Sequence, residues 1–211
     1  GRPVAAPLIL GAAAVLLVGG FAFVGGVMER VVAERQVEII AHRGAAGSRP
    51  ENTMAAVEKA LDDGADWVEI DVQETADGVV VVAHDSDFMK LAGVDLKVWD
   101  ATVDDLADID IGSWFDPAYA DQRTPTLREV LQTAQGRGKV LIELKYYGHD
   151  IALEERVAEI VEQTGMADDI GVMSLKIPGV RKMQALDGGW PHGILAATAL
   201  GDISALEADF L

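Results

Sequence analysis

Short apolar runs recur along most of this chain, and each ends abruptly in polar or charged residues. The first run, Val37–Ala41, leads directly into a His-Arg-Gly triplet, the pattern of a buried strand that delivers polar groups at its carboxyl end. Further runs predict strands at Trp67–Gln73, Val79–Ala83, Val140–Lys145, Ile170–Leu175, Gly193–Ala197 and, as an opening only, Ala208–Leu211.

Stretches with helical periodicity separate most of these strands, at residues 54–61, 127–134, 153–164 and 180–186. Asp77-Gly78 turns the chain from the second strand into the third, which predicts a tight hairpin-like turn there. Strands that alternate with helices predict parallel β/α units. We therefore expect an α/β fold, a TIM (β/α)8 barrel whose last strands are missing from this chain. Such barrels carry their active sites at the carboxyl ends of the strands.

The N-terminal block differs from the rest because Pro3–Met28 contains no charged residue. About 20 apolar residues suffice for a helix that spans a bilayer. We therefore predict a transmembrane helix at residues 1–29, a charged connector at 30–36 and the barrel domain at 37–211. A cleaved signal peptide or a buried core helix is the alternative interpretation of the apolar block.

The predicted helix places the protein at the cell membrane, but the side on which the domain lies is open. Arg2 precedes the block, whereas Arg30 and Arg35 follow it and alternate with acidic residues. The excess of basic residues on either side is therefore too small for the positive-inside rule to set the orientation. The chain starts at Gly1 without a methionine, and we expect it to be a fragment of a longer protein.

Charge and composition exclude some functions. The formal net charge is −18 and the pI is about 4.4, so a nucleic acid would be repelled and is not an expected partner. There is no cysteine, which excludes disulfides, a thiolate nucleophile and thiolate metal ligands. Half of the residues are hydrophobic, enough for a substantial core.

Acidic residues alternate with apolar ones in two of the predicted strands. Glu69 and Asp71 share one strand face, and Glu143 shares a face with Lys145 in a later strand. Either strand, considered alone, could be an ordinary half-exposed strand whose polar face lies in water. In a parallel barrel, helices cover the outside, so these carboxylates would point inward, where unpaired charge is costly. Three such oxygen ligands suit Mg²⁺ or Ca²⁺ better than zinc.

Two histidines, His42 and His84, each follow a predicted strand. Singly, each would more often be structural, but two at one rim suggest an acid/base pair. Arg43 suits a phosphate oxygen. Glu51 could orient Arg43, contribute to the metal region, or be an ordinary surface residue at a helix start. Asn52 or Thr53 can cap that helix.

Other polar and aromatic residues receive weaker assignments. His149 could line the rim, whereas His192 is expected to be solvated in a turn. Trp114 and Phe115 lie in the long polar segment between the third and fourth strands. They could contact an acyl chain, but we expect them to pack into the core.

Several motifs, taken in order, resemble the glycerophosphodiester phosphodiesterase family. They are His42-Arg43-Gly44, Pro50-Glu51-Asn52-Thr53, Glu69-Ile70-Asp71-Val72, Val82-Ala83-His84-Asp85, Thr124-Pro125-Thr126-Leu127 and Glu143-Leu144-Lys145. The resemblance covers residues 37–211, and the N-terminal block resembles the family branch in which a membrane region precedes the catalytic domain.

The resemblance implies a TIM-barrel hydrolase that cleaves glycerophosphodiesters to glycerol 3-phosphate and an alcohol and needs one divalent cation. By the same resemblance, Glu69, Asp71 and Glu143 hold the metal, and His42 and His84 are the general acid and base. The remaining implied roles are phosphate contacts from Arg43 and Lys145 and a supporting position for Glu51.

The chain departs from the family pattern in two places. It stops before the last two strands, one of which usually carries a Trp-Thr pair, and it has Ser174-Leu175 where many members have Ser-Phe. Two other functions stay open. One is hydrolysis of lipid headgroups, as by a lysophospholipase D or a phospholipase C. The other is a membrane-anchored, non-catalytic binding module, which would be expected to have lost some of the site residues.

Overall fold

The computed structural model describes residues 37–186, 188–196 and 207–210. The predicted transmembrane helix at 1–29 and the connector at 30–36 lie outside these ranges. Within them, none of the helices combines the length and the apolar character that a membrane span requires.

The centre of the fold is a mostly parallel sheet with the strand order β1-β2-β6-β7-β8. The strands are Ile40–Ala41 (β1), Trp67–Glu74 (β2), Val80–Val82 (β3), Asp87–Phe88 (β4), Val94–Lys97 (β5), Lys139–Leu144 (β6), Ile170–Ser174 (β7) and His192–Ile194 (β8). Phe210 pairs in parallel with Gly193, as expected if a further strand begins there. The predicted parallel β/α order is thus confirmed for the five strands of this path.

One strand departs from that order, because β3 pairs antiparallel with β2 through Val72 and Val82. The two strands form a hairpin closed by Thr75–Gly78, and Gly78 has the positive φ of 79° that such a turn favours. The tight turn was predicted correctly. The turn brings the end of β3 back beside Asp71, whose carbonyl accepts the N–H of Ala83.

Four longer helices cover one face of the sheet, and two short ones belong to the segment after β3. They are Met54–Asp62 (α1), Met89–Ala92 (α2), Val103–Leu106 (α3), Leu127–Ala134 (α4), Leu153–Thr164 (α5) and Ile177–Ala185 (α6). Thr53 caps α1 by accepting the N–H of Ala56, and Thr126 forms a capping box with Glu129 at α4. These caps explain why the predicted starts of both helices are correct.

The main core lies between the sheet and these helices. Val68, Ile70 and Val72 on β2 point toward it and are fully buried, together with Ile142 on β6 and Leu131 on α4. Side chains alternate along a strand, so this arrangement commits the acidic residues of β2 and β6 to the opposite face. The predicted assignment of faces is therefore confirmed.

A second apolar cluster lies under the long segment that follows β3. Phe88, Val98, Leu106 and Ile111 form its centre, and the short hairpin β4–β5 lies beside it. The expectation that Trp114 and Phe115 pack into the core is wrong, because their exposed fractions are 43% and 38%. Phe88 and aliphatic side chains fill this cluster instead.

The contact between β1 and α1 depends on Gly44. Its φ is +72°, and a β-carbon there would lie 2.7 Å from the backbone carbonyl carbon of Ala56. Its N–H also donates to the carbonyl of Glu69 at 3.0 Å. Glycine permits both the left-handed conformation and the close approach of the helix.

We predict that Gly44→Ala lowers the free energy of unfolding. A left-handed conformation costs a residue with a β-carbon about 1–2 kcal/mol, and the clash with Ala56 should bring the loss well above that value. Gly64→Ala is the matched control, because Gly64 has a φ of +75° and no neighbouring atom within 4 Å of the added carbon. Urea unfolding monitored by circular dichroism measures both variants. Equal losses would show that the close approach to Ala56 contributes nothing.

Candidate active site

Three carboxylates converge on the face of the sheet opposite the core. Glu69 and Asp71 lie two residues apart on β2, and the parallel register places Glu143 of β6 directly beside Asp71. Their exposed fractions are 2%, 0% and 7%. One oxygen from each lies within 4.8 Å of the others. The sequence prediction that these three residues share one site is consistent with this geometry.

The donor set fits a hard divalent cation. Oε1 of Glu69 and Oδ1 of Asp71 are buried and accept no hydrogen bond. A buried carboxylate oxygen that accepts no hydrogen bond is costly, and a bound cation would satisfy both of these atoms. Carboxylate oxygens are the ligands that Mg²⁺ and Ca²⁺ prefer. Glu69, Asp71 and Glu143 are therefore the residues that would hold such an ion.

The crowding of negative charge raises carboxyl pKa values in this cluster. Burial and the neighbouring charge of Asp71 raise the pKa of Glu69 to about 8, against the opposing effect of a hydrogen bond from the Arg43 N–H. Burial also raises the pKa of Glu143, although Lys145 opposes the shift. Without a cation, protonation of Glu69 thus relieves the repulsion near neutral pH.

Arg43 approaches the cluster from the end of β1. Its backbone N–H donates to Glu69 Oε2 at 2.7 Å, and its Nε lies 3.4 Å from Asp71 Oδ2. Its Nη1 donates to Glu51 Oε1 at 2.9 Å. Of the roles considered for Glu51, the orientation of Arg43 is the one that this contact matches. The φ of Arg43 is +52°, an uncommon value outside glycine and one that recurs at functional sites.

Asn52 belongs to the same arrangement, although the sequence suggested only a capping role for it. Its Nδ2 donates to Asp71 Oδ2 at 2.8 Å, and its Oδ1 accepts the Asp71 N–H at 3.3 Å. It is 2% exposed, has a φ of +56° and donates its own N–H to the carbonyl of Arg43. Asn52 therefore fixes the orientation of the Asp71 carboxylate.

Lys145 lies just beyond the end of β6, on the side of the cluster formed by Glu143. Its Nζ donates to Glu143 Oε1 at 2.9 Å and lies 3.4 Å from Asp71 Oδ1. Burial by itself would lower the pKa of Lys145, but the hydrogen bond that it donates to Glu143 and the charge of Asp71 outweigh this effect and raise that pKa. Lys145 thus remains a cation beside the carboxylates of Asp71 and Glu143.

His42 follows β1 and stands at the mouth of the site. Its Nε2 lies 3.9 Å from Glu69 Oε2, and its side chain is 70% exposed. Partial burial and the nearby Arg43 lower the pKa of His42, while Asp71 opposes the shift. The lowered pKa favours a neutral imidazole that can accept a proton at neutral pH.

His84 is held much more tightly than His42. Its Nδ1 lies 2.7 Å from Asp85 Oδ1, and its backbone carbonyl accepts the Tyr147 hydroxyl at 2.8 Å. Gln73 donates to the carbonyls on both sides of it, those of Ala83 and Asp85. This leaves Nε2 as the ring nitrogen available to a substrate. Asp85 sits in the His-Asp dipeptide that the sequence showed, but its contact with His84 was not predicted.

The other two histidines have different surroundings. His149 stacks on Trp99 with ring centroids 4.1 Å apart, and both line a small cleft next to Lys145. The suggestion that His149 borders the rim is consistent with this position. The expectation that His192 is solvated is wrong, because it forms the first residue of β8 and is 7% exposed.

The glycerophosphoryl diester phosphodiesterase family model matches residues 42–182, which include every residue of the predicted site. This chain belongs to that family. The match begins at the first site histidine and extends past β7 into α6, so it covers the strands that carry the carboxylates as well as the loops between them.

Individual relatives agree with the family assignment. The chain is 36% identical to YhdW of Bacillus subtilis over 166 residues, which is 79% of this chain and 68% of the relative. It is 31% identical to the glycerophosphodiester phosphodiesterase of Caldanaerobacter subterraneus subsp. tengcongensis, over 74% of this chain and 65% of that protein. The chain thus spans about two thirds of the length of these two relatives.

Solved structures show the same fold. A glycerophosphodiester phosphodiesterase from Agrobacterium tumefaciens superposes with a TM-score of 0.67 at 32% identity, covering 75% of this chain and 66% of that one. A phosphodiesterase from Oleispira antarctica, solved with the product sn-glycerol-3-phosphate, gives 0.72 at 27% identity, covering 79% and 68%. The predicted TIM-barrel-like α/β fold is confirmed by these similarities.

The pKa of Glu69 predicts that cation binding depends on pH. In the cation-free protein this carboxyl contributes stability that is present below pH 4.5 and is lost as the pH rises through about 8. Cation binding requires the carboxylate form and releases the proton. We expect Mg²⁺ or Ca²⁺ to raise the melting temperature more at about pH 8.5 than at about pH 6.

Differential scanning fluorimetry with and without EDTA measures this difference. Glu69→Gln is the matched variant, since it keeps the shape of the side chain but has no proton to release. It should lose both the cation-induced shift and its pH dependence. A cation-induced shift of equal size at the two pH values in the parent protein would contradict the assignment of Glu69.

Proposed function

We propose that this protein hydrolyses glycerophosphodiesters to glycerol 3-phosphate and an alcohol, and that it needs one divalent cation, Mg²⁺ or Ca²⁺. The observation that carries the proposal is the convergence of three buried carboxylates, two of them with oxygens that accept no hydrogen bond, beside His42. The product named for the Oleispira antarctica relative supports the same reaction class.

In this proposal, the residues around the carboxylates neutralise and orient the phosphodiester. Arg43 and Lys145 place their cationic groups at the edge of the cluster, where they can contact the phosphoryl oxygens. A bound divalent cation would supply Lewis-acid polarisation of a phosphoryl oxygen. Fixed charges of this kind favour an electron-rich transition state because they need no reorganisation during the reaction.

The histidines move the protons. One imidazole accepts a proton from the nucleophile, either water or the neighbouring glycerol hydroxyl, as that oxygen bonds to phosphorus. The other donates a proton to the alcohol oxygen as its bond to phosphorus breaks. Attack by water gives glycerol 3-phosphate directly, whereas attack by the glycerol hydroxyl gives a cyclic phosphate that water must open in a second step. The lowered pKa of His42 favours the accepting role for it, and the fixed ring of His84 favours the donating role. Asp85 then acts as a positioning residue for His84.

A second candidate substrate class is supported by a specific observation. The aromatic side chains of Trp114 and Phe115 are exposed on the loop segment after β3, where a lipid chain could contact them. Lysophospholipids, cleaved as by a lysophospholipase D or a phospholipase C, are therefore the alternative. A non-catalytic binding module is disfavoured because His42, Glu69, Asp71, His84 and Glu143, some of which a decayed site would have lost, are all present.

The first test is release of glycerol 3-phosphate from glycerophosphocholine by the full chain, measured with Mg²⁺, with Ca²⁺ and with EDTA. We expect release with one of the two cations and its loss with EDTA, because the carboxylates then repel the phosphodiester. A folded protein that releases no product with either cation would contradict the glycerophosphodiesterase proposal.

The second test addresses the histidines. We expect His42→Ala and His84→Ala each to lower turnover by about 10²–10⁴, with the cation-induced rise in melting temperature retained. His149→Ala is the matched control, since His149 stacks on Trp99 at the rim and holds no proposed role in proton transfer. Variants of His42 or His84 that lose cation binding but not turnover at saturating cation would overturn the assigned roles.

We also propose that the protein is attached to the cell membrane by residues 1–29. The absence of charge from Pro3 to Met28 supports this. Membranes from expressing cells should retain the protein through an alkaline wash and release it in detergent. Recovery of the uncleaved chain in the alkaline supernatant would contradict attachment by a spanning helix.

A further inference from the structure

A cluster of apolar side chains faces solvent beside the site. Trp114 and Phe115 have exposed fractions of 43% and 38%. The rings form a continuous group, with centroids 5.8 Å apart for Trp114 and Phe115 and 6.0 Å apart for Phe115 and Tyr119. We call Trp114, Phe115 and Tyr119 the aromatic patch. A contiguous apolar surface of this kind usually marks an interaction site.

The patch is held in place by the turns beneath it. Trp114 Nε1 donates to the carbonyl of buried Ile111 at 2.8 Å. The carboxylate of Asp110 accepts the N–H groups of Gly112 and Ser113, and that of Asp116 accepts the N–H of Ala118. The turn therefore fixes the rings at the surface, and the two carboxylates are occupied by their own turns.

Two basic side chains lie near the faces of these aromatic rings. Lys90 Nζ lies 6.0 Å from the centroid of the Trp114 ring, and the guanidinium carbon of Arg49 lies 5.6 Å from that of Tyr119. In a chain with a net charge of −18, this pairing of basic groups with aromatic rings contrasts with the general surface. Aromatic rings prefer the boundary between lipid headgroups and acyl chains, and basic groups are attracted to lipid phosphates.

The patch is continuous with the active site. Lys90 Nζ donates to both oxygens of Glu51, at 2.9 and 3.0 Å, and Glu51 in turn accepts a hydrogen bond from Arg43. Arg43 lies against Asp71 in the carboxylate cluster. A phosphodiester at the cluster would thus have the aromatic patch within reach of a lipid chain attached to it.

We propose that the aromatic patch, with Arg49 and Lys90, is a surface that rests on a phospholipid interface, with the rings at the acyl boundary and the two cations on lipid phosphates. Phosphodiesters presented in a micelle or bilayer, lysophospholipids among them, are then favoured over the same chemistry in free solution. The substrate preference rests on the proposed function, whereas the lipid contact itself does not.

The test compares two substrates of one enzyme. The double variant Trp114→Ser/Phe115→Ser should lower kcat/KM for micellar lysophosphatidylcholine by about tenfold, because two large apolar side chains lose their burial. Its kcat/KM for soluble glycerophosphocholine should stay within about twofold of the parent value, since neither ring belongs to the catalytic machinery. Leu186→Ser is the matched control: Leu186 is 40% exposed and follows α6, away from the carboxyl ends of the strands.

Each outcome decides a separate question. Equal losses on both substrates, or no loss on either, would overturn the interfacial role. A parent protein that hydrolyses neither substrate would refute the proposed function, and the lipid contact is then judged by fluorescence. Phosphatidylcholine vesicles with bromine on the acyl chains should quench the parent more than a Trp114→Phe variant. Identical quenching of the two proteins would exclude insertion of Trp114.

Discussion

The site depends on one electrostatic constraint, the proximity of three carboxylates in a region from which water is excluded. The parallel register of β2 and β6 sets this proximity, since it places Asp71 beside Glu143. Like charges at this separation repel strongly where the dielectric is low. The surrounding contacts oppose that repulsion: Lys145 donates to Glu143, the Arg43 N–H donates to Glu69, and Asn52 donates to Asp71.

These compensating groups require an unusual backbone after β1. Arg43 and Asn52 both adopt positive φ, and the N–H of Asn52 donates to the carbonyl of Arg43, so the two strained residues support one another. Such conformations cost about 1–3 kcal/mol each and persist only where other contacts determine them. Gly44 permits this turn to lie directly against α1. The chemistry of the site and the packing of the first helix are thus coupled in one short segment.

The sequence predicted the elements whose cause is local and missed the features that depend on tertiary contacts. The bounds of α4 and α5 and the strand faces follow from periodicity and caps, which neighbouring residues set. The convergence of the carboxylates followed from the predicted parallel order of the β/α units, which brings the carboxyl ends of the strands to one edge. Asn52 suggested only a helix cap, because its contact with Asp71 joins positions far apart in the chain. Likewise, nothing local to His192 showed that its strand would be covered, and aromaticity favoured burial of Trp114, which a surface turn prevents.

The balance of charge at the site explains why cation and substrate should bind together. The three carboxylates exceed Arg43 and Lys145 by one negative charge, so the cation-free site repels a phosphodiester, which is itself an anion. Protonation of Glu69, with its pKa of about 8, only neutralises that excess. A divalent cation reverses its sign and leaves one positive charge, which matches the single negative charge of a phosphodiester. In the proposed function, the carboxylates that would hold the ion therefore also determine whether the substrate is attracted.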